Sequence, residues 1–166
     1  MSLQAVALQA EAIGTGKIMT QLNGEEHFAQ ERTEIWSRLT DADFLAKCLP
    51  GMERVESDDS AFLVCRIRPG FSFLKGTIKV TLDPYDRQPP DLLRIRVLSK
   101  GIGSFAIVEP AVELTADGAA TRVSWNAESG ELGGLLKPVS RSLIQAAARM
   151  VITDGWSGFK EALSQT

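Results

Sequence analysis

The sequence predicts an α+β protein, in which a curved antiparallel sheet of about six or seven strands wraps round one long C-terminal helix, with two short helices after the first strand. Three observations lead to this fold class. Between positions 52 and 127, apolar and polar residues alternate, as in strands that bury a single face. From Leu135 to Leu163 the apolar residues change to helical spacing. Short polar turns separate the strand-like segments, which favours antiparallel neighbours.

Length, charge and cysteine content exclude several classes of protein. A chain of 166 residues fits one domain, and we assign residues 1–16 to a flexible N-terminal arm and residues 17–166 to a single domain. A net charge of -3 argues against a nucleic-acid partner. Two cysteines are too few for a disulfide scaffold, and no secretory leader or transmembrane run is recognisable. We therefore expect a cytoplasmic protein.

The first part of the chain predicts one strand and then two short helices. Residues 17–28 alternate weakly and are expected to form the strand. The segment "AQERTEIWSRL" has apolar residues at helical spacing and predicts the first helix. Thr40 and Asp43 resemble a capping box that opens the second helix. Pro50 and Gly51 are expected to end it, because proline cannot continue a helix and glycine adopts the left-handed conformation.

The middle of the chain predicts the meander. Two strands, at 52–57 and 61–69, surround the polar turn "SDDS". The segment "LKGTIKVTLD" is apolar at every second position, and the following "DPYDRQPPD" is expected to be a loop. Alternation returns from Leu93 to Val97 and in "FAIVEPAVEL", whose middle is weakened by Pro110. The Asp-Gly pair of "TADGAAT" predicts a turn before the last strand, "RVSWNAE".

The C-terminal helix is expected to bury one apolar stripe against the sheet. Pro138 fits its first turn, or marks a kink if the helix begins at Gly134. Burial of a large apolar side chain is worth about 1.5 to 3 kcal/mol, so the sheet must receive the stripe. The members of the predicted stripe are Leu136, Val139, Leu143, Ala147, Met150 and Val151.

This architecture suggests a binding function. A twisted sheet that curls round a helix leaves a hollow between them unless large side chains fill it. We predict that the hollow is an apolar ligand-binding cavity. Its predicted walls are Ile78, Val80, Ile95, Val97, Val108, Trp125, Leu143, Ala147 and Val151.

Two further groups of residues are candidates for the cavity mouth or for a docking surface. Arg66 and Arg68 share one strand face, where they either belong to a solvated outer surface or bind an anion or lipid headgroup at the mouth. Phe71, Phe73 and Phe105 lie near predicted strand ends. They either pack under loops or form an apolar gate or docking patch.

No catalytic or metal-binding constellation is recognisable. Cys48, in "DFLAKCLPGMERVE", is placed at a helix C-terminus, where the helix dipole opposes a thiolate. We expect it to pack in the core, as we do Cys65. The single histidine, His27, has no neighbouring ligands for a metal and is expected on the surface or an edge strand. Glu109 is expected to point outward. We predict no catalytic residues, no metal and no cofactor.

Four segments together resemble the CoxG family, the G subunits of carbon monoxide dehydrogenase, in the START-like helix-grip superfamily: "EIWSRLTDADFLAKCLPGMERVE", "LKGTIKVTLDPYDRQPP", "LTADGAATRVSW" and "GGLLKPVSRSLI". The resemblance covers about residues 19–163. Its most specific element is Leu-Pro-Gly after a cysteine-containing helix, followed by Lys-Gly in a central strand. It implies a helix-grip domain with a deep apolar cavity. It also implies a role beside molybdenum-containing hydroxylases of the carbon monoxide dehydrogenase type, with lipophilic, quinone-like ligands or membrane recruitment.

Three functional hypotheses remain open. The leading one is a non-enzymatic accessory protein that binds a hydrophobic, lipid-like or quinone-like small molecule, with a molybdenum-hydroxylase-type dehydrogenase as protein partner and peripheral contact with the inner face of the membrane. The second is a docking or assembly factor for the oxidoreductase, with an incidental cavity. The third is an enzyme like the cyclases and hydrolases of the superfamily, which would need acid, base and electrophile side chains that converge in the hollow.

Overall fold

One antiparallel sheet and three helices make up the part of the chain that the structure, a computed structural model, describes: residues 17–18, 22–56, 62–70, 76–101, 103–127, 130–134 and 136–165. The predicted arm, residues 1–16, lies outside these ranges. The strands are β1 (Lys17–Ile18), β2 (Leu22–Phe28), β3 (Met52–Val55), β4 (Leu63–Ile67), β5 (Ile78–Gln88), β6 (Leu92–Gly101), β7 (Ser104–Val108), β8 (Ala111–Asp117), β9 (Ala120–Ala127) and β10 (Gly130–Gly134). The helices are α1 (Arg32–Leu39), α2 (Ala42–Cys48) and α3 (Arg141–Ser164).

The predicted α+β fold, with an antiparallel meander and a long C-terminal helix, is confirmed. The main path of the sheet runs β1-β10-β7-β6-β5-β4-β3, and β6 also pairs with β8, which leads through β9 to β2. β7 and β8 are halves of one bent strand, because both pair with β6 and only Glu109 and Pro110 separate them. β10 pairs with β7 and β1, whereas β9 pairs with β8 and β2, so the described residues form one 10-stranded sheet.

Two strand predictions are corrected. The segment "DPYDRQ" is not a loop, because β5 continues through it to Gln88. A register shift between Asp83 and Asp86 accommodates Pro84, which is buried. The strand β10 is not among the predicted strands, since the glycines of "GELGG" conceal any alternation. This strand pairs with β7 and closes the sheet towards β1.

The two short helices form as predicted, with one change at the cap. The side chain of Asp41, rather than that of Thr40, accepts hydrogen bonds from the backbone N–H groups of Asp43 and Phe44 at 3.0 and 3.3 Å. The Thr40 hydroxyl instead donates to the carbonyl of Trp36 at 2.8 Å.

Beyond α2, the turn into β3 requires glycine. Gly51 takes a φ of 71°, and a Cβ at this position would lie 2.3 Å from the Arg68 carbonyl oxygen. Both the left-handed backbone and the close approach exclude a side chain, so only glycine fits this turn.

The helix α3 begins later than predicted. Ser140 caps it, and its hydroxyl accepts a hydrogen bond from the Leu143 N–H at 3.3 Å. Pro138 therefore lies before the helix rather than in its first turn. Within the described residues, no helix combines the length and apolar character that crossing a bilayer requires.

An aromatic cluster fixes the C-terminal half of α3 to the rest of the protein. Phe159 contacts Phe28 and Phe44 edge-on, with ring centroids 5.6 and 5.4 Å apart, and Trp156 lies 5.7 Å from Phe159. Gly158 brings the helix against α2, because a Cβ there would lie 2.4 Å from the Cys48 carbonyl oxygen. These contacts fix both the position of α3 along its axis and its rotation about that axis.

The core is complete at the end of the sheet nearest this cluster. Leu93 and Val123 are fully buried, and Leu114, Phe159 and Leu163 are nearly so. We call this part of the molecule the closed end. It contains the aromatic cluster, the β5–β6 turn and the β8–β9 turn.

The opposite end, where α3 begins, is less completely covered. Ile78, Ser99 and Ala106 share the sheet face of the buried Val80 but are only partly buried, whereas Ser104, Leu132 and Leu136 at the same end are buried. The chain reaches α3 from Gly134, which pairs with Ser104 at the same edge of the sheet. We call this part, with the first turns of α3, the open end.

Two glycines of α3 provide a test of this anchoring. We expect Gly158→Ala to lower the free energy of unfolding by about 1 to 3 kcal/mol, because its methyl group forces α2 and α3 apart. Gly155 has no neighbour within 4 Å of an added Cβ, so Gly155→Ala should stabilise the protein by about 0.5 to 1 kcal/mol through helix propensity. Urea unfolding of both variants measures the difference. Equal effects would contradict the close approach of the two helices.

Candidate functional site

The inner face of the sheet collects the strand residues that the sequence predicts as cavity walls. The registers align Val80 with Ser99, Val97 with Val108, and Cys65 with Val80 on this face. The same alternation places Ile78, Ile95 and Trp125 on it. Val80 is buried, whereas the other five predicted strand residues are half-buried. Apolar side chains therefore line the face that α3 spans without being fully covered.

The helix contributes a different set of residues from the predicted one. Leu143 and Val151, predicted as cavity walls, are 44% and 43% exposed, so neither is packed against the sheet. Leu143 lies about 160° round the helix from Phe159, and Val151 about 80°. Ala147 is buried but lies well away from the Phe159 direction, at the side of the helix. Of the three helix residues predicted as cavity walls, Ala147 alone is thus buried.

The side chains that do face the sheet form a second apolar stripe. Ile152, Ala148 and Ile144 precede Phe159 by seven, eleven and fifteen positions, which places all three within about 60° of it round the helix. All three are only partly buried. This stripe, small at Ala148, lies over the inner face of the sheet at the open end. This second stripe also has helical spacing in the sequence. Spacing alone does not show which of the two stripes faces the sheet.

Trp125, which is predicted as an apolar wall, also carries a polar group on the inner face. The sequence does not indicate a role for this group. Its ring lies over Gly24, where a Cβ would come within 2.6 Å of the indole Cζ2. The indole Nε1–H is buried and has no hydrogen-bond partner among the described residues. A buried donor without an acceptor costs about 1 to 3 kcal/mol, so its presence needs an explanation. The pairing of tryptophan with glycine across β2 and β9 could only be recognised once the register was known.

The inner face also carries an ion pair, at the edge of the sheet. Glu26 accepts a hydrogen bond from Nζ of Lys160 on α3 at 3.1 Å. The Lys160 ammonium also lies 5.6 Å from the centre of the Phe28 ring. This pair joins β2 to the anchored half of α3. It does not reach the apolar residues of the open end.

The two arginines considered for the cavity mouth lie on the outer face, which is the first of the two alternatives. Nε of Arg66 donates to Glu56 at 3.1 Å, and Nε of Arg68 donates to Glu53 at 2.9 Å. The hydrogen bond from Arg66 is the main reason that the pKa of Glu56 is lowered. Both arginines thus belong to the charged outer surface of the sheet.

The three phenylalanines predicted as a gate or docking patch divide into two groups. Phe105 lies on the outer face and covers Gly133, where a Cβ would be 1.9 Å from its ring. It therefore fills the space of a missing side chain on the neighbouring strand. Phe71 and Phe73 lie outside the described residues.

The titratable groups considered for catalysis do not come together. His27 is exposed on the outer side of β2, with Nε2 3.9 Å from Glu25. Glu109 points outward, as expected, and accepts a hydrogen bond from Arg96 at 2.7 Å. In the described ranges, no group of three metal-ligating side chains is present.

Both cysteines are buried in the core, as the sequence predicts. The Cys48 thiol donates to the Phe44 carbonyl at 3.2 Å, and the Cys65 thiol lies 3.7 Å from the Val80 carbonyl. Burial raises the pKa of each thiol to about 11. Neither is placed to act as a nucleophile at neutral pH.

A polar groove lies at the closed end of the molecule. It has a volume of about 390 Å³ and runs between α1, α2 and the last turns of α3. Its lining includes residues of both charges: Arg38, Lys47, Asp41, Asp43 and Glu161. This mixture does not select an anionic or a cationic ligand.

Comparisons with known proteins identify a family and a fold. A model of the CoxG family, described as the G subunit of carbon monoxide dehydrogenase, matches residues 24–164. A conserved protein from Geobacillus kaustophilus is similar in structure, with 22% identity, a TM-score of 0.77 and coverage of 87% of this chain and 96% of that chain. A truncated norcoclaurine synthase from Thalictrum flavum is 16% identical, with a TM-score of 0.57 and coverage of 90% and 94%. No curated protein sequence matches the chain. At these identities the solved structures establish the helix-grip fold alone.

The rotation of α3 can be tested by placing a charge on each of its two apolar stripes. We expect Ile152→Glu to lower the free energy of unfolding by about 2 kcal/mol or more, because it puts a carboxylate between helix and sheet. Met150→Glu, on the opposite and exposed side, should change it by less than about 0.5 kcal/mol. Chemical denaturation of the two variants makes the comparison. A greater loss from Met150→Glu would mean that the helix is turned the other way.

The raised thiol pKa values predict a loss of stability at alkaline pH. In the unfolded chain the thiols ionise near pH 9, whereas in the folded protein they do so near 11. Between these values the unfolded state releases protons that the folded state retains, so the free energy of unfolding should fall as pH rises. Thiol titration with a colourimetric disulfide reagent should detect both cysteines only after unfolding. Rapid labelling of the folded protein would contradict their burial.

Proposed function

Because the chain belongs to the CoxG family of carbon monoxide dehydrogenase G subunits, we propose that it is a non-enzymatic accessory protein of a carbon monoxide dehydrogenase-type system that binds a lipophilic small molecule between α3 and the sheet. The ligand would be lipid-like or quinone-like. The observation that carries the proposal is the incomplete cover of the inner face at the open end.

The chemistry of this region supports an apolar ligand. Ile95, Val97 and Val108 from the sheet and Ile144 and Ile152 from the helix are all only half-buried, although Ile95 and Val97 also contact the buried core. A ligand that removes such surface from water gains about 25 cal/mol for each Å² buried. The protein would contribute shape and apolar surface, which are the main properties of small-molecule sites.

One polar contact is available to orient the ligand. The unpartnered Trp125 Nε1–H is on the inner face, where Trp125 pairs in register with Val112 and packs against the core of the closed end. A carbonyl or ether oxygen of a ligand would accept a hydrogen bond from this N–H if the indole, or the residues that cover it, shifted on binding. This contact favours a lipophile that bears an acceptor over a pure hydrocarbon.

A second candidate function is a docking or assembly factor for the oxidoreductase. The outward side of α3 favours it, because Leu143, Met150 and Val151 are all more than 40% exposed. Exposed large apolar residues on one helix are typical of protein contact surfaces. In this case the hollow would be incidental.

The proposal includes no catalytic step. Norcoclaurine synthase shares the fold, but at 16% identity its activity does not transfer to this chain. Glu109 is held outward by Arg96 and His27 is on the outer side of β2, so neither supports acid–base chemistry in the hollow.

Paired tryptophan substitutions on α3 test the proposed ligand site. Ala148→Trp fills the hollow, whereas Ala146→Trp adds the same side chain to the exposed side of the helix. We expect native mass spectrometry of protein purified without detergent to detect a co-purifying lipophile in the wild type and in Ala146→Trp, but not in Ala148→Trp. Calorimetric titration of the emptied protein with a naphthoquinone or a fatty acid should give the same ranking.

Ala148→Trp and a double variant on the exposed side of α3 distinguish the docking-factor hypothesis from the carrier proposal. If the protein works by docking, a pull-down with the partner oxidoreductase should be indifferent to Ala148→Trp and lost in Leu143→Asp/Met150→Asp. A bare wild-type chain that also fails to bind either added ligand would refute the carrier proposal.

A further inference from the structure

The two edges of the sheet differ in how well they are protected against pairing with another strand. At one edge, β3 has only 4 residues and a register shift between Met52 and Arg54, and both features hinder the addition of a further strand. At the other edge, β2 has 7 residues and pairs with β9 in an unbroken register. Among the described residues, no strand pairs with the other side of β2. β2 is therefore the edge that is open to another strand.

Two side chains on the outer face of β2 have complementary chemistry. Glu25 offers a carboxylate and His27 an imidazole donor, and their side chains are 56% and 67% exposed. Because they are two positions apart on one strand, their Cα atoms are separated by about 6.7 Å. His27 Nε2 lies 3.9 Å from the Glu25 carboxylate, which is too long for a hydrogen bond. The two groups are thus close on the same strand without satisfying each other.

A second copy of β2, added antiparallel at the open edge, would satisfy both groups. If a two-fold axis passes through Glu26, Glu25 of each copy lies directly opposite His27 of the other. Opposite side chains in such a pair have Cβ atoms about 4.5 to 5.5 Å apart, which is closer than neighbours on one strand face. The adjacent registers that preserve the faces instead place Glu25 opposite Glu25, or His27 opposite His27. The side chains therefore favour a single register.

The strands behind β2 extend this complementarity. His27 pairs in register with Arg122 of β9, so a basic row leads to the edge at this position. Glu25 pairs with Ser124, which in turn pairs with Glu113 of β8, so the row at position 25 carries carboxylates. The two-fold axis aligns the basic row of one copy with the acidic row of the other, at both sites at once.

Glu26 is the residue that would oppose this pairing if its charge were bare. An inward-pointing charge protects a sheet edge, and Glu26 would face its own copy at the axis. However, its carboxylate accepts a hydrogen bond from Lys160 Nζ at 3.1 Å. The groups that would meet at the axis are therefore two neutralised ion pairs rather than two carboxylates.

We infer that β2 is a self-association surface, through which two copies of this chain join edge to edge into one continuous sheet. The contact is isologous, since each copy contributes the same strand. A second copy fits better than an unrelated peptide, because the two-fold register satisfies Glu25 and His27 twice. A single pair of edge strands is a small contact, so we expect a reversible dimer with a dissociation constant on the order of 10 to 100 µM. The inference does not depend on a ligand in the hollow.

Sedimentation velocity of the full chain over a concentration series tests this surface. The wild type should pass from monomer to dimer as the concentration rises. His27→Glu places a carboxylate opposite Glu25 at both sites and should weaken dimerisation about tenfold or more. The exchanged variant Glu25→Lys/His27→Glu restores opposite charges, so it should recover dimerisation to within about threefold of the wild type. The matched control is Thr115→Glu, which adds the same charge to the exposed outer face of β8 and should stay within about twofold.

Three results would each overturn the inference. The first is a wild type that stays monomeric up to about 1 mM. The second is an equal loss in His27→Glu and Thr115→Glu, which would make net charge rather than the β2 edge responsible. The third is failure of the exchanged variant to recover dimerisation. All the substituted side chains are exposed, and circular dichroism confirms that the variants are folded.

Discussion

The attachment of α3 at its C-terminal half is the constraint on which the rest of the structure depends. Phe159 fits between Phe28 and Phe44, and the helix approaches α2 so closely at Gly158 that no side chain fits there. Both contacts belong to the second half of a 24-residue helix. The first half follows rigidly from this attachment, and it crosses the sheet with small or half-buried residues on its inner side. The half-buried residues on the inner face at the open end thus follow from where the helix is fixed as much as from the curvature of the sheet.

The strands could be predicted from sequence because their information is local. A period of two assigns each side chain to a face without knowledge of the partner strand, and Val97, Val108 and Trp125 all lie on the face expected for them. The prediction fails where local chemistry conceals the pattern. The glycines of β10 show no alternation, and Pro84 in β5 is tolerated only because of a register shift. The N-cap of α2 also could not be predicted from local sequence, because Thr40 and Asp41 are both good capping residues. The backbone conformation places Asp41 at the N-cap.

The rotation of α3 could not be predicted, because it is decided far from the residues concerned. The helix has one apolar stripe through Leu143 and Met150 and another through Ile144 and Ile152. Local spacing favours neither. The aromatic contacts of Phe159 decide which stripe faces the sheet, and their partners lie on β2 and α2.

Phe105 and Gly133 form a unit that spans two strands. The ring occupies the volume that a side chain at position 133 would need, so only one of the two positions can carry a large side chain. A relative that acquired a larger residue at 133 would have to shrink residue 105 at the same time, and the reverse exchange would leave a gap in the outer surface. These two sites should therefore evolve as a coupled pair, although 28 positions separate them along the chain.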